Sequence, residues 1–188
     1  MSSVLTVTNE QAIARVRAWI ERFVVDLNLC PFARPVVSSD ALRIVACESA
    51  LPEAIATLLI TELDLLSQSS ESDIATSVLV FPEGLEQFED YLGFLDDAQT
   101  VLEEMGMAGE IQIASFHPDY CFEGEPVDAV SHFTNRAPYP LIHLLRETMV
   151  TNALDTYPSP ERIPERNIQT LERLGLAGIE GLLHSLDR

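Results

Sequence analysis

Ser77-Val78-Leu79-Val80-Phe81 is apolar through its centre, contains two β-branched valines and is closed by Pro82. A run this short, without polar and apolar alternation, is the pattern of a strand buried on both faces. Two comparable runs flank it, Leu42 to Cys47 and Ile111 to Phe116. Between the first two, Pro52 opens a helical pattern carrying Ile55, Leu58, Leu59, Leu63 and Leu66, and Ser67 to Ser72 is a polar break. Between the second and third, Gly84 to Met105 places Leu85, Phe88, Leu92, Leu95 and Leu102 inward, with Gly106 as its stop. Strand–helix–strand–helix–strand, at about thirty residues per crossover, is the βαβαβ pattern. The expected fold is therefore α/β, with a small, mostly parallel sheet of three strands or slightly more. An α+β two-layer sandwich is the alternative.

Helices enclose this core on both sides in sequence. Thr8 with Gln11 forms a capping-box pattern, and Ile13, Val16, Ile20, Phe23, Val24 and Leu27 repeat on one face. That helix should stop near Asn28 to Cys30, because Pro31 forbids continuation. After the third strand come a polar loop, an expected helix from Pro138 to Asn152, and a Tyr157-Pro158-Ser159-Pro160 linker. Helical segments from Pro164 to Leu174 and from Leu176 to Leu186 complete an expected single domain over residues 1–188.

The charge distribution excludes several chemistries. Lysine is absent, all eleven cations are arginines, and the net charge is −19. Residues 44–135 hold nineteen carboxylates and no cation, while the flanks balance. This field disfavours nucleic acid and anionic membrane as partners. It leaves no Schiff-base or phosphate-binding lysine, so an anionic ligand must be met by arginine or by backbone N–H groups. No apolar run approaches a membrane span. The N-terminal Met-Ser-Ser-Val-Leu-Thr-Val-Thr lacks a basic and a long apolar segment, so no signal peptide is expected. Three cysteines, Cys30, Cys47 and Cys121, form an odd set without CxxC spacing, which fits a reducing cytoplasm.

Catalytically capable side chains concentrate between residues 116 and 147, which hold three of the four histidines. If the sheet is parallel, His117 is the first residue beyond a strand's carboxyl end, the edge where open α/β sheets bind ligands. A neutral imidazole there can act as base, acid or metal ligand. Asn135 and Arg136 precede prolines entering the expected helix, a place suited to a carboxylate or phosphate. In that helix His143, Arg146 and Glu147 would form one polar stripe. His117, His143 and Glu147 could alternatively supply two imidazoles and a carboxylate to one metal. Tyr120 and Asp128 could orient a histidine, and Arg166 with Asn167 could add an anion contact. A helix carboxyl end disfavours the Cys30 thiolate unless Arg34 or His117 approaches. Cys47 and Cys121 read as structural thiols, and His132 and His184 as ordinary packing or surface residues.

Leu29-Cys30-Pro31-Phe32-Ala33, Phe116-His117-Pro118-Asp119-Tyr120 with Phe122 and Gly124, Thr134-Asn135-Arg136 with Pro138-Tyr139-Pro140, and His143-Leu144-Leu145-Arg146-Glu147 stand out together. With Ile163 to Asn167 and Gly175, they resemble the motifs of an uncharacterised bacterial domain-of-unknown-function family, number 1415. The resemblance implies no reaction. It adds weight to Cys30, His117, Asn135, Arg136, His143, Arg146 and Glu147. His132 and Ala137 depart from the pattern, where asparagine and serine are expected.

These residues define the expected function: a cytoplasmic small-molecule enzyme acting on an anionic substrate. His117 and His143 would be an acid–base pair, Glu147 their partner, and Cys30 a nucleophile or pocket thiol. Asn135, Arg136, Arg146, Tyr120 and Arg166 would bind substrate. A mononuclear metal enzyme and a non-catalytic ligand sensor or interaction protein are the alternatives. Cofactor and oligomeric state are left open.

Overall fold

A computed structural model describes residues 7–187. Most of the segment that bears on a signal peptide, residues 1–6, lies outside the described residues. The chain begins with α1 (Asn9–Trp19), where the Thr8 side chain accepts from the Gln11 N–H and the Gln11 side chain returns the bond. Helix α1 runs into a π-helical turn, Ile20–Val25, and the short α2 (Ala33–Ser38) follows the Cys30-Pro31 corner.

Strand β1 (Leu42–Ala46), α3 (Pro52–Gln68), β2 (Thr76–Val80), α4 (Phe88–Glu104) and β3 (Ile111–Phe116) realise the expected alternation. Helix α4 begins later than Gly84, because Gly84 and Leu85 both take positive φ, 81° and 64°. Strand β4 (Leu141–Arg146), α5 (Glu147–Thr156) and α6 (Ile163–His184) follow. Helix α6 breaks at Gly175 (φ 70°, ψ 162°), where the sequence separates two helical segments. Only glycine populates that region readily.

The sheet has four strands in the order β1-β2-β4-β3. Strands β1 and β2 are parallel, and β4 is antiparallel to both β2 and β3. The three expected strands thus point the same way, with one reversed strand wedged between the second and third.

That reversed strand corrects the sequence reading, which makes Leu141–Arg146 part of a helix. Leu141 belongs to the core layer beneath α1 and α6, whereas Ile142 and Leu144 belong to the layer beneath α3 and α4. A central strand is apolar on both faces, and six residues cannot separate a period of 2 from one of 3.6. Two side-chain devices tie α3 to this sheet. Arg43 grips the buried Glu62 of α3 through two bonds of 2.7 Å. Arg146 donates through Nη2 to the carbonyls of Leu66, Ser69 and Ile74 at 2.7, 2.7 and 3.0 Å, closing the end of α3. Among the described residues no helix is long and apolar enough to cross a membrane.

Candidate functional site

The strand assignment decides where the candidate residues lie. His143 stands opposite Val78 on β2 and Ala114 on β3, and Val78 is core beneath α1 and α6. Directly paired residues share a face, so His143 points toward that layer. His117 is buried on the other face, its ring 5.2 Å from Phe88 and 5.1 Å from Tyr91 of α4. Glu147 starts α5 beside Glu110, at the opposite end of β3 from His117. Six residues of strand separate those ends, about 20 Å. The expected acid–base pair and the alternative metal triad are therefore not assembled. Among the described residues no group of three or more His, Cys, Asp or Glu side chains is placed to hold a metal ion.

Each of these residues has a structural occupation. His117 Nδ1 accepts from the Asp119 N–H at 3.0 Å, which leaves Nε2–H to donate to the Leu85 carbonyl at 3.0 Å. Thr76 gives its hydroxyl proton to the Leu144 carbonyl, so His143 Nε2 is the donor in the 2.6 Å bond to Thr76 Oγ1. Burial pushes the His143 pKa down to about 4, keeping the ring neutral. Arg136 donates to the Tyr120 carbonyl and lies over the Phe133 ring, and Arg146 is committed to carbonyls. Tyr120 packs at a tilt against Phe88 and edge-on against Phe122. His132 is wholly buried, with Nδ1 accepting from the Phe122 N–H and Nε2 facing the Pro126 carbonyl. It is a packing residue that organises the loop after β3, and Cys121 lies 3.6 Å from it.

Other motif residues do converge. Cys30, Asn135 and Asn167, from three distant parts of the chain, line one hollow of 560 Å³. Phe116 and Phe122 form its apolar wall, Val24 of the π-helical turn and Leu29 its side, and Glu123 and Glu125 its rim. Single π-helical turns within α-helices recur at functional sites. Asn135 is bonded on all sides: its carbonyl accepts from His117 N–H, its amide donates to Ser115 O, and its Oδ1 accepts from Thr134. Asn167 donates to the Leu29 carbonyl at 2.8 Å and so fixes the residue before Cys30. Ser131 lines the same hollow, and its buried hydroxyl has no hydrogen-bond partner. Buried polar groups without a partner are uncommon in folded proteins, and Trp19 Nε1 and Ser77 Oγ, which do not line this hollow, are in the same state.

Burial pushes the Cys30 thiol up, against the opposing pull of the Phe32 and Ala33 N–H groups. Arg34 gives no help, because its guanidinium reaches the Val25 carbonyl and Asp26. The resting sulfur is a thiol, with two amides placed to accept charge if it forms.

A second hollow of 640 Å³ adjoins the first across Asn167, and Arg166, Thr170, Arg173, Tyr157 and Asp26 help to line it. The sequence places Arg166 and Asn167 here. The i, i+4, i+7 spacing of Arg166, Thr170 and Arg173 is the signal that extends the set. Ser131 has no comparable signal.

Residues 11–181 match the family model described as "Protein of unknown function (DUF1415)". The chain belongs to that family. No curated protein and no solved structure matches the chain. The family assignment agrees with the motif resemblance and brings no activity with it.

Proposed function

We propose that this protein is a small-molecule enzyme whose reacting group is the Cys30 thiol. One observation carries the reading: Cys30, Asn135 and Asn167 meet at a single hollow that also contains the unpartnered Ser131 hydroxyl. Phe116 and Phe122 offer a ligand an apolar surface, Ser131 one hydrogen bond, and the Phe32 and Ala33 amides a place for charge developing on sulfur. The thiol adds to a substrate carbonyl: the S–C bond forms as the C=O π pair moves onto oxygen, and the thiol proton passes by way of a rim carboxylate, Glu123 or Glu125, to that oxygen. The histidines support the walls. The acidic rim does not suit an anion, so the anionic part of the substrate lies across Asn167, beside Arg166. Three free cysteines agree with a reducing cytoplasm, and the net charge of −19 argues against nucleic-acid and membrane partners.

The raised thiol pKa favours a second reading, a sensor that binds in the same hollow without turnover. A thermal-shift screen of small carbonyl compounds, followed by product analysis of each binder, separates the two. Conversion that disappears in Cys30→Ser supports the enzyme, and binding without conversion supports the sensor. Stabilisation that persists unchanged in Asn167→Ala and after Cys30 alkylation removes the hollow from both.

A further inference from the structure

We propose that the hollow on the far side of Asn167 is an oxyanion-binding site, built on α6 and specific for a phosphate or carboxylate group. It deepens the reading above, which seats the substrate's anionic part beside Arg166, and it binds whether or not Cys30 reacts.

Cations are scarce in this chain. The chain has eleven arginines against thirty carboxylates, yet this hollow of 640 Å³ is lined by two arginines and a single carboxylate, Asp26. It is a local reversal of an acidic surface. Arg166 and Arg173 stand seven residues apart on the regular part of α6, two turns and about 10 Å along one face. Thr170 lies between them.

Arg43, Arg34 and Arg162 each meet a carboxylate, namely Glu62, Asp26 and Glu165. Among the described residues, Arg166 and Arg173 meet none. Arg166 donates to the Tyr157 hydroxyl at 3.3 Å and lies 5.8 Å from the centre of that ring, which is itself packed edge-on against Phe32. Arg173 donates through Nε to the Gln169 carbonyl and through Nη2 to Thr170 Oγ1, at 3.1 and 3.2 Å. Neutral partners orient these groups without cancelling their charge. Most of the five N–H donors on each remain for a ligand. Asp26 is drawn toward Arg34, 4.0 Å away, with both side chains 66% exposed.

Two forked cations, held by neutral contacts above a concave surface, suit an anion that accepts several hydrogen bonds. A free anion and the anionic end of a larger ligand offer the same chemistry. The shared Asn167 lets one molecule extend from this seat toward Cys30.

Isothermal titration of the full chain with inorganic phosphate and with acetate, at constant ionic strength, tests the proposal. At least one anion should give a saturable isotherm. Arg166→Gln and Arg173→Gln should each weaken it about tenfold or more, and Asp26→Asn should strengthen it. Cys30→Ala should leave it unchanged, which separates failure here from failure of the enzyme reading. Saturation by phosphate alone, by acetate alone or by both supports the site and assigns its preference. No saturable binding of either, or binding within about twofold of wild type in both arginine variants, overturns it. Among the described residues Arg173 bonds only within its own helix, so its variant should fold, and circular dichroism verifies this.

Discussion

The His143 ring is neutral at pH 7 because its surroundings penalise charge, and the penalty has a measurable sign. Its pKa falls from 6.5 in the unfolded chain to about 4 in the folded one. Between those values the unfolded state binds more protons, so stability is complete above pH 6.5 and declines toward pH 4. The loss amounts to roughly 3 kcal/mol in the limit of low pH. Urea midpoints at pH 7 and pH 4.5 should show a smaller decline for His143→Gln than for wild type, and equal declines would refute the assignment. Cys30 titrates in the opposite sense. Its alkylation by iodoacetamide should still be accelerating above about pH 9, where a free cysteine is already levelling. A plateau below pH 8 would mean that the sulfur is activated. At this scale the sequence identifies Cys30, Asn135 and Asn167 through motifs, but motifs do not state which members touch. His117 and His143 belong to the same motif set and end on opposite faces, because a side chain's face follows from secondary structure and not from its neighbours in sequence.

Helices and strands were legible wherever one periodicity dominated. The Thr8 cap, the positions of the first three strands, the α3 and α4 helices between them and the Gly175 break all follow from local chemistry, whereas the direction of the third strand does not. Strand β4 was not, because a central strand has no polar face to reveal its period. The π-helical turn was equally hidden, since its apolar residues continue the pattern of α1. Two arginines then join element to element. Arg146→Ala should cost about 2–3 kcal/mol, because three carbonyls at and beyond the end of α3 lose their donor. Arg43→Ala should cost about 3 kcal/mol or more by leaving Glu62 buried and unpaired, whereas Arg43→Met with Glu62→Leu should recover most of it. Chemical denaturation of the single and double variants checks both. A double variant no better than Arg43→Ala would show that the pair contributes by its fit and not merely by avoiding a bare charge.

Across the whole molecule, −19 net charges repel one another, and the acidic middle of the sequence supplies all of that excess. Screening should relieve the strain: melting temperature should rise by a few degrees from about 20 mM to about 0.5 M sodium chloride. A flat or falling profile would show that local ion pairs outweigh the general field. The order β1-β2-β4-β3 has a further outcome for how the protein is made. The strand that completes the middle of the sheet is the last to leave the ribosome. Until Leu141–Arg146 emerges, β2 and β3 each carry an edge of unpaired N–H and C=O groups awaiting the same neighbour. Nascent chains that stall short of that segment therefore present two complementary vacancies, so premature termination should yield sticky fragments that call for chaperone capture.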